Sequence, residues 1–146
     1  MADNPFAGSW KLVSFEMRTV NDEINYPYGE DALGYIFYGQ DGYMSVAFMN
    51  QGRPAISATT DLRGGTPQEK AAAFDTYFTY CGTYEYDQKR VIHHIEVSLY
   101  PNWTGKDQVR FYSFEGDRLI LTTPPLLFEG AEQTGYLIWK RNQARR

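Results

Sequence analysis

The sequence predicts an all-β protein, an eight-stranded antiparallel barrel with one inserted α-helix over about residues 67–80. Three observations carry that prediction. Runs of alternating apolar and polar residues recur at short intervals along most of the chain. Tight-turn signals join most of them, so neighbours should be antiparallel. Only one segment carries a helix start signal. The composition agrees: 16% of the residues are aromatic, with twelve tyrosines and nine phenylalanines, and such side chains favour strands.

Residues 8–20 alternate and read as a long first strand. A polar loop with Tyr26-Pro27-Tyr28-Gly29 follows. Residues 34–38 and 43–49 are strands joined by Gly39-Gln40-Asp41-Gly42, a hairpin signal. Residues 50–65 are rich in Gly, Pro, Ser and Thr and read as loop. Thr66-Pro67-Gln68-Glu69 supplies a capping box with proline at the first helical position. Ala71, Phe74 and Phe78 then lie on one helical stripe, and Gly82 is a plausible stop. Strands follow at 82–87, 90–100, 107–115 and 118–123. A Pro124-Pro125 loop precedes the last strand, 134–141, and a polar tail, 142–146, should fray. Eight antiparallel strands close into a barrel wide enough for one small ligand.

The length of 146 residues suits a single domain, 1–146, with a real core. The net charge of -4 argues against nucleic-acid or anionic-membrane partners, which need a basic face. One cysteine, Cys81, excludes an internal disulfide, and with only two histidines a zinc site is not expected. No basic-then-apolar leader opens the sequence and no apolar run is of membrane-spanning length, so a cytoplasmic protein is expected. In that setting the Asn102-Trp103-Thr104 glycosylation pattern has no consequence. A homodimer is compatible with this composition.

Residues 90–105, RVIHHIEVSLYPNWTG, are the most informative stretch. Strand alternation puts Ile92, His94, Glu96, Ser98 and Tyr100 on one face, and His93, Ile95, Val97 and Leu99 on the other. One register places Tyr84 opposite His94 and Tyr86 opposite Ile92. A turn centred on Trp103 then places Glu96 opposite Arg110 and His94 opposite Tyr112. The shared face reads Tyr84, Tyr86, Ile92, His94, Glu96, Ser98, Gln108, Arg110, Tyr112 and Phe114. It is expected to point inward, because Glu85 and Asp87 belong to the other face. Ile95, Val97, Val109 and Phe111 would form an outer patch under Phe74 and Phe78 of the helix. A one-residue slip reverses the assignment.

Inside a barrel, Glu96 and Arg110 would have to pair. Such a carboxylate can take a proton from a ligand, and the arginine can hold an anionic oxygen. A structural ion pair closing the barrel, or a surface cross-strand pair, accounts for the same residues. His94 between Tyr84 and Tyr112 can relay protons, or be a core histidine satisfied by a phenol. His93 points the other way, so the two histidines do not form a metal pair. Tyr35, Phe37, Tyr38, Tyr43, Phe48, Tyr136 and Trp139 read mostly as core, with some able to stack on a planar ligand. The sequence has no phosphate loop, nucleophile elbow or metalloprotease helix.

Several segments resemble a known family. Gly8-Ser9-Trp10-Lys11-Leu12-Val13-Ser14 resembles the Gly-x-Trp opening strand of lipocalin-like proteins. Gly39-Gln40-Asp41-Gly42-Tyr43-Met44 resembles the second hairpin of the small bacterial and fungal lipocalin-like domain family. His93-His94-Ile95-Glu96, Pro101-Asn102-Trp103, Gly105, Gln108, Arg110 and Gly116-Asp117-Arg118-Leu119-Ile120-Leu121 are similar to its second half. The resemblance implies a calycin-type barrel with a helix inserted midway and a pocket for a small organic molecule. Related barrels include carriers and cofactor-free cyclases and isomerases.

The reading that follows is a barrel binding a small, largely apolar, aromatic or polyene molecule. Its favoured chemistry is cofactor-independent isomerisation, cyclisation or lyase-type elimination. Glu96 or His94 would move the proton, and Arg110 with Tyr84 or Tyr112 would hold the oxyanion. Ser98, Phe114, Tyr38 and Tyr136 would complete the ligand site. No cofactor and no metal is expected. The alternative is a passive carrier, and a third reading is haem held by a barrel histidine.

Overall fold

The computed structural model describes residues 3–145. Its strands are β1 (Gly8–Thr19), β2 (Ile24–Asn25), β3 (Leu33–Tyr38), β4 (Tyr43–Met49), β5 (Tyr77–Tyr86), β6 (Arg90–Ser98), β7 (Asp107–Glu115), β8 (Arg118–Thr122), β9 (Leu126–Phe128) and β10 (Ala131–Arg141). One helix, α1 (Pro67–Asp75), lies between β4 and β5, and a 3-10 turn (Pro101–Trp103) lies between β6 and β7. Eight strands, β1-β3-β4-β5-β6-β7-β8-β10, pair antiparallel in that order, and β10 returns to β1 to close the barrel. The two short strands, β2 and β9, extend the ends of β1 and β10. Closure leaves the eight wall strands without a free edge.

Local chemistry explains the turns. The backbone N–H of Gly39 donates to Tyr43 across the β3–β4 hairpin, and Gly42 sits at φ 89°, which glycine adopts without a Cβ penalty. The Asp87 carboxylate accepts from the N–H groups of Lys89 and Arg90 and so fixes the β5–β6 turn. The expected frayed tail starts on Asn142, whose N–H donates to Ser9; Arg146 lies outside the described residues.

The helix differs from expectation. Its capping box is present, with Thr66 Oγ1 accepting from the N–H of Glu69 and the Glu69 carboxylate accepting from the N–H of Thr66. It ends at Asp75, however, and residues 77–80 belong to β5. The sequence there, Tyr77-Phe78-Thr79-Tyr80, favours strand, and β4 supplies pairing partners from Met49↔Tyr77 onward. Gly82 is therefore a mid-strand residue. The helix has no buried residue.

The register of β6 also differs. The Asp87–Arg90 turn is symmetric about Gln88 and Lys89, so Tyr84 pairs with His93 and Tyr86 with Val91. Between β6 and β7, His93 pairs with Gln108 and Val91 with Arg110, and pairing stops at His94↔Asp107. The 3-10 turn and Gly105 occupy the chain that a simple hairpin would have paired, so Glu96 never meets Arg110. Val91, His93 and Ile95 thus point inward, while Glu96 and Val97 are exposed. The expected outer patch is not covered by the helix: Val97 is 64% and Phe111 45% exposed, and Ile95 is inside.

Candidate functional site

The barrel interior has two halves of different character. One end is solid. Phe6 packs against Tyr38, Tyr84, Tyr86, Tyr112 and Phe114 with ring centroids 4.8–6.4 Å apart, and Trp10 Nε1 donates to the Phe6 carbonyl at 2.9 Å. The other end holds a cavity of about 620 Å³, within the range that takes a small organic molecule. Its walls are apolar: Phe15, Met17, Ile36, Val46, Phe48, Leu121, Leu137 and Trp139. Its mouth is aromatic and aliphatic, with Tyr28, Phe74, Phe78, Trp103, Leu126 and Phe128. Phe74 of α1 and Phe78 of β5 thus both line the mouth instead of sharing one helical face. Burial pushes the Tyr28 hydroxyl up to about 12, which keeps it a neutral phenol.

Polar groups cluster at the inner pole of the cavity. His93, only 1% exposed, bridges two tyrosines: Nε2 lies 2.7 Å from Tyr38 Oη and Nδ1 lies 2.7 Å from Tyr80 Oη. Burial, reinforced by the positive charge of Arg110, holds its pKa well below the ordinary histidine value, so it is neutral. Burial likewise raises the Tyr38 and Tyr80 phenols. Arg110 lies beside this triad, 7% exposed, with its guanidinium 5.8 Å from the Trp103 ring and against the Tyr80 hydroxyl. Nη1 donates to the Val109 carbonyl at 2.9 Å and reaches Gln108 Oε1 at 3.5 Å. No carboxylate lies within ion-pair distance of Arg110 among the described residues.

The expected site residues divide between these regions. Arg110 lines the cavity. Tyr38 holds His93 from below the cavity floor. Tyr84, Tyr112 and Phe114 belong to the solid end: Tyr84 Oη donates to the Gly39 carbonyl and Tyr112 Oη to that of Asp87. Ser98 pairs with Tyr80 at the rim, where its hydroxyl accepts from the N–H of Tyr100. Tyr136 is outside, under the Arg18 guanidinium, 3.9 Å from its ring centroid. Glu96 is exposed on the outer surface. His94 is also outside, between Asp107 Oδ1 at 2.7 Å and Glu85 Oε1 at 3.1 Å. Those partners, Asp107 first, raise its pKa.

Two inner-pole residues, His93 and Tyr80, lie outside the site that the sequence predicts. The predicted helix ends on Tyr80. The alternation of 90–95 carries the signal for His93, with Val91 and Ile95 as the core face.

A closed eight-stranded antiparallel barrel with an apolar internal cavity and a few convergent polar groups defines a small-molecule-binding barrel. The chain belongs to the lipocalin-like domain family, whose model matches residues 7–142. It is similar to the 4'-hydroxy-3'-methoxypropiophenone carrier protein ppsC of Aspergillus oryzae (strain ATCC 42149 / RIB 40): 37% identical over 107 residues, covering 67% of this chain and 96% of the relative. No solved structure matches. Among the described residues no helix is long and apolar enough to cross a membrane.

Proposed function

We propose that this protein reversibly binds and carries a small aromatic molecule bearing an oxygen function, of the aryl-ketone type that names its relative. The observation that supports this best is the cavity itself: about 620 Å³, walled by apolar side chains, with a cluster of buried hydrogen-bonding groups at its inner pole. An aromatic ring fits the walls, and the polar pole orients the oxygen. A cytoplasmic setting, where thiols stay reduced, suits the free cysteine Cys81.

Binding without turnover is favoured over isomerisation, cyclisation or elimination. Glu96 and His94, the expected proton carriers, face away from the cavity. His93 faces it but has both nitrogens engaged by tyrosines. The same engagement leaves no imidazole nitrogen for haem iron.

Titration with 4'-hydroxy-3'-methoxypropiophenone, followed by calorimetry, tests the proposal. One saturable site per chain is expected, with the ligand recovered unchanged. Val46→Trp, which fills the cavity, should abolish binding while the barrel stays folded. Absence of binding to the wild type, or steady conversion of the ketone, would overturn it.

A further inference from the structure

We infer that the cavity takes its ligand as an anion, with the charged oxygen seated on Arg110 and the Tyr80 hydroxyl. The inference rests on the binding function proposed above and specifies the ligand class.

A donor count leads to it. Tyr38 is 2% exposed, and the partner of its hydroxyl is Nε2 of His93. If that hydroxyl accepted from Nε2–H, its own proton would be buried without an acceptor. Tyr38 therefore donates to Nε2. A neutral imidazole then carries its proton on Nδ1, which donates to Tyr80 Oη. The Tyr80 proton is left to point into the cavity.

Arg110 adds further donors. Its guanidinium offers donors and no acceptor, and besides Tyr80 and the His93–Tyr38 pair its polar neighbours among the described residues are a backbone carbonyl and a glutamine. Trp139 adds another: it is fully buried, lines the cavity, and its indole N–H has no partner among the described residues. Thr123 Oγ1 accepts from the N–H of Gly135, so its hydroxyl is also left to donate. The carboxylates of the lining, Asp75 and Glu129, sit at the exposed mouth. The unused buried hydrogen-bonding groups of the lining are thus donors, around a cation with no carboxylate partner among the described residues. A buried cation is costly without a counter-charge, and a ligand anion supplies it. A phenolate, enolate or carboxylate on an aromatic frame satisfies both the walls and the pole; a neutral ketone satisfies only the walls and part of the pole.

Two matched probe pairs test this: 4'-hydroxy-3'-methoxypropiophenone against its 3',4'-dimethoxy ether, and cinnamate against methyl cinnamate. Affinities come from calorimetry. The ionisation state of the bound phenol comes from its phenolate absorption band. The acidic member of a pair should bind more tightly than its neutral partner. The bound phenol should show the phenolate band at a pH where the free phenol is neutral. Arg110→Met should weaken binding of the acid by about thirtyfold or more, erase the phenolate band and weaken binding of the neutral partner far less. Because it removes an unpaired buried charge, the same variant should melt no lower than wild type without ligand. Tyr80→Phe should shift the band in the same direction by less. Neutral members binding as tightly as the acids, or a bound phenol that stays neutral, would overturn the anion while the binding function stands. Failure of all four probes would overturn both.

Discussion

The indole of Trp10 donates to the carbonyl of Phe6 at 2.9 Å, and together the two side chains seal one end of the barrel. Phe6 is fully buried against four tyrosines and Phe114. Phe6→Ala removes that plug and leaves a hole the rigid wall cannot collapse into. A loss of about 3–5 kcal/mol is expected, measured by urea unfolding. A loss below about 1 kcal/mol would show that the solid end repacks.

Thr66 anchors the helix at the cavity mouth through its capping box with Glu69. The Glu69 carboxylate also accepts from Ser57, which ties the long 50–65 loop to the helix start. Thr66→Ala should cost about 1 kcal/mol. The hydrogen bonds from Thr66 and Ser57 hold the Glu69 pKa down to about 2. Its contribution is present above its unfolded value and disappears as pH falls through about 2. Amide exchange in residues 67–75 should therefore accelerate on Thr66→Ala at neutral pH.

The adjacent histidines act on stability with opposite signs. His94 is raised by its carboxylate neighbours, Asp107 first; its contribution is full below about pH 6.5, the unfolded value, and is lost as pH rises through the higher folded value. His93 is depressed by burial; below about pH 6.5 the unfolded chain takes up a proton that the native chain refuses, so stability falls. The pair predicts a stability maximum near pH 6.5. His94→Gln should flatten the alkaline limb only, and high salt should do the same because that side chain is one-third exposed. An unchanged alkaline limb in His94→Gln would refute the assignment.

Glu96 is exposed, and no hydrogen bond or ion pair holds its side chain among the described residues. Glu96→Gln should change stability by less than about 0.5 kcal/mol and leave ligand affinity unaltered. A loss in either measurement would restore a role for this carboxylate.

Strand periodicity and turn chemistry made the barrel legible, because both are local. The Gly39–Gly42 hairpin, the Thr66 cap and the closing strand at the C-terminal end all stand close to where the sequence places them. The site was only half legible. Arg110 lines the cavity as expected, but Glu96, its expected partner, lies on the outer surface. Register depends on pairing across the sheet, and one residue of slip exchanges His93 for His94. Sequence spacing does not announce the 3-10 turn after Tyr100 that shortens the β6–β7 pairing. The helix end failed for a related reason: Phe78 fits a helical stripe as well as a strand, and the free side of β4 decides between them.

Gly82 decides how β6 presents its two faces. Pairing runs Gly82↔Ile95 and then Cys81↔Val97, so Glu96 is an extra residue bulged out of the strand. The bulge resets alternation: His93 and Ile95 point in, Glu96 and Val97 point out, and Ser98 again sits opposite the inward Tyr80. It also draws the β6 backbone against β5, so that a Cβ on Gly82 would lie 2.0 Å from the carbonyl oxygen of His94. Backbone cannot yield as a side-chain tip can. Gly82→Ala must push β6 outward, and with it His93, whose 2.7 Å bond to Tyr80 orients the inner pole. A destabilisation of about 1–3 kcal/mol is expected. Binding of an acidic probe should weaken with it, because Tyr80 loses the imidazole N–H that directs its proton into the cavity. Cys81→Ala, one residue away and pointing outward, should leave binding unchanged. Equal affinities for wild type and Gly82→Ala would show that the Tyr80 proton is not set by His93.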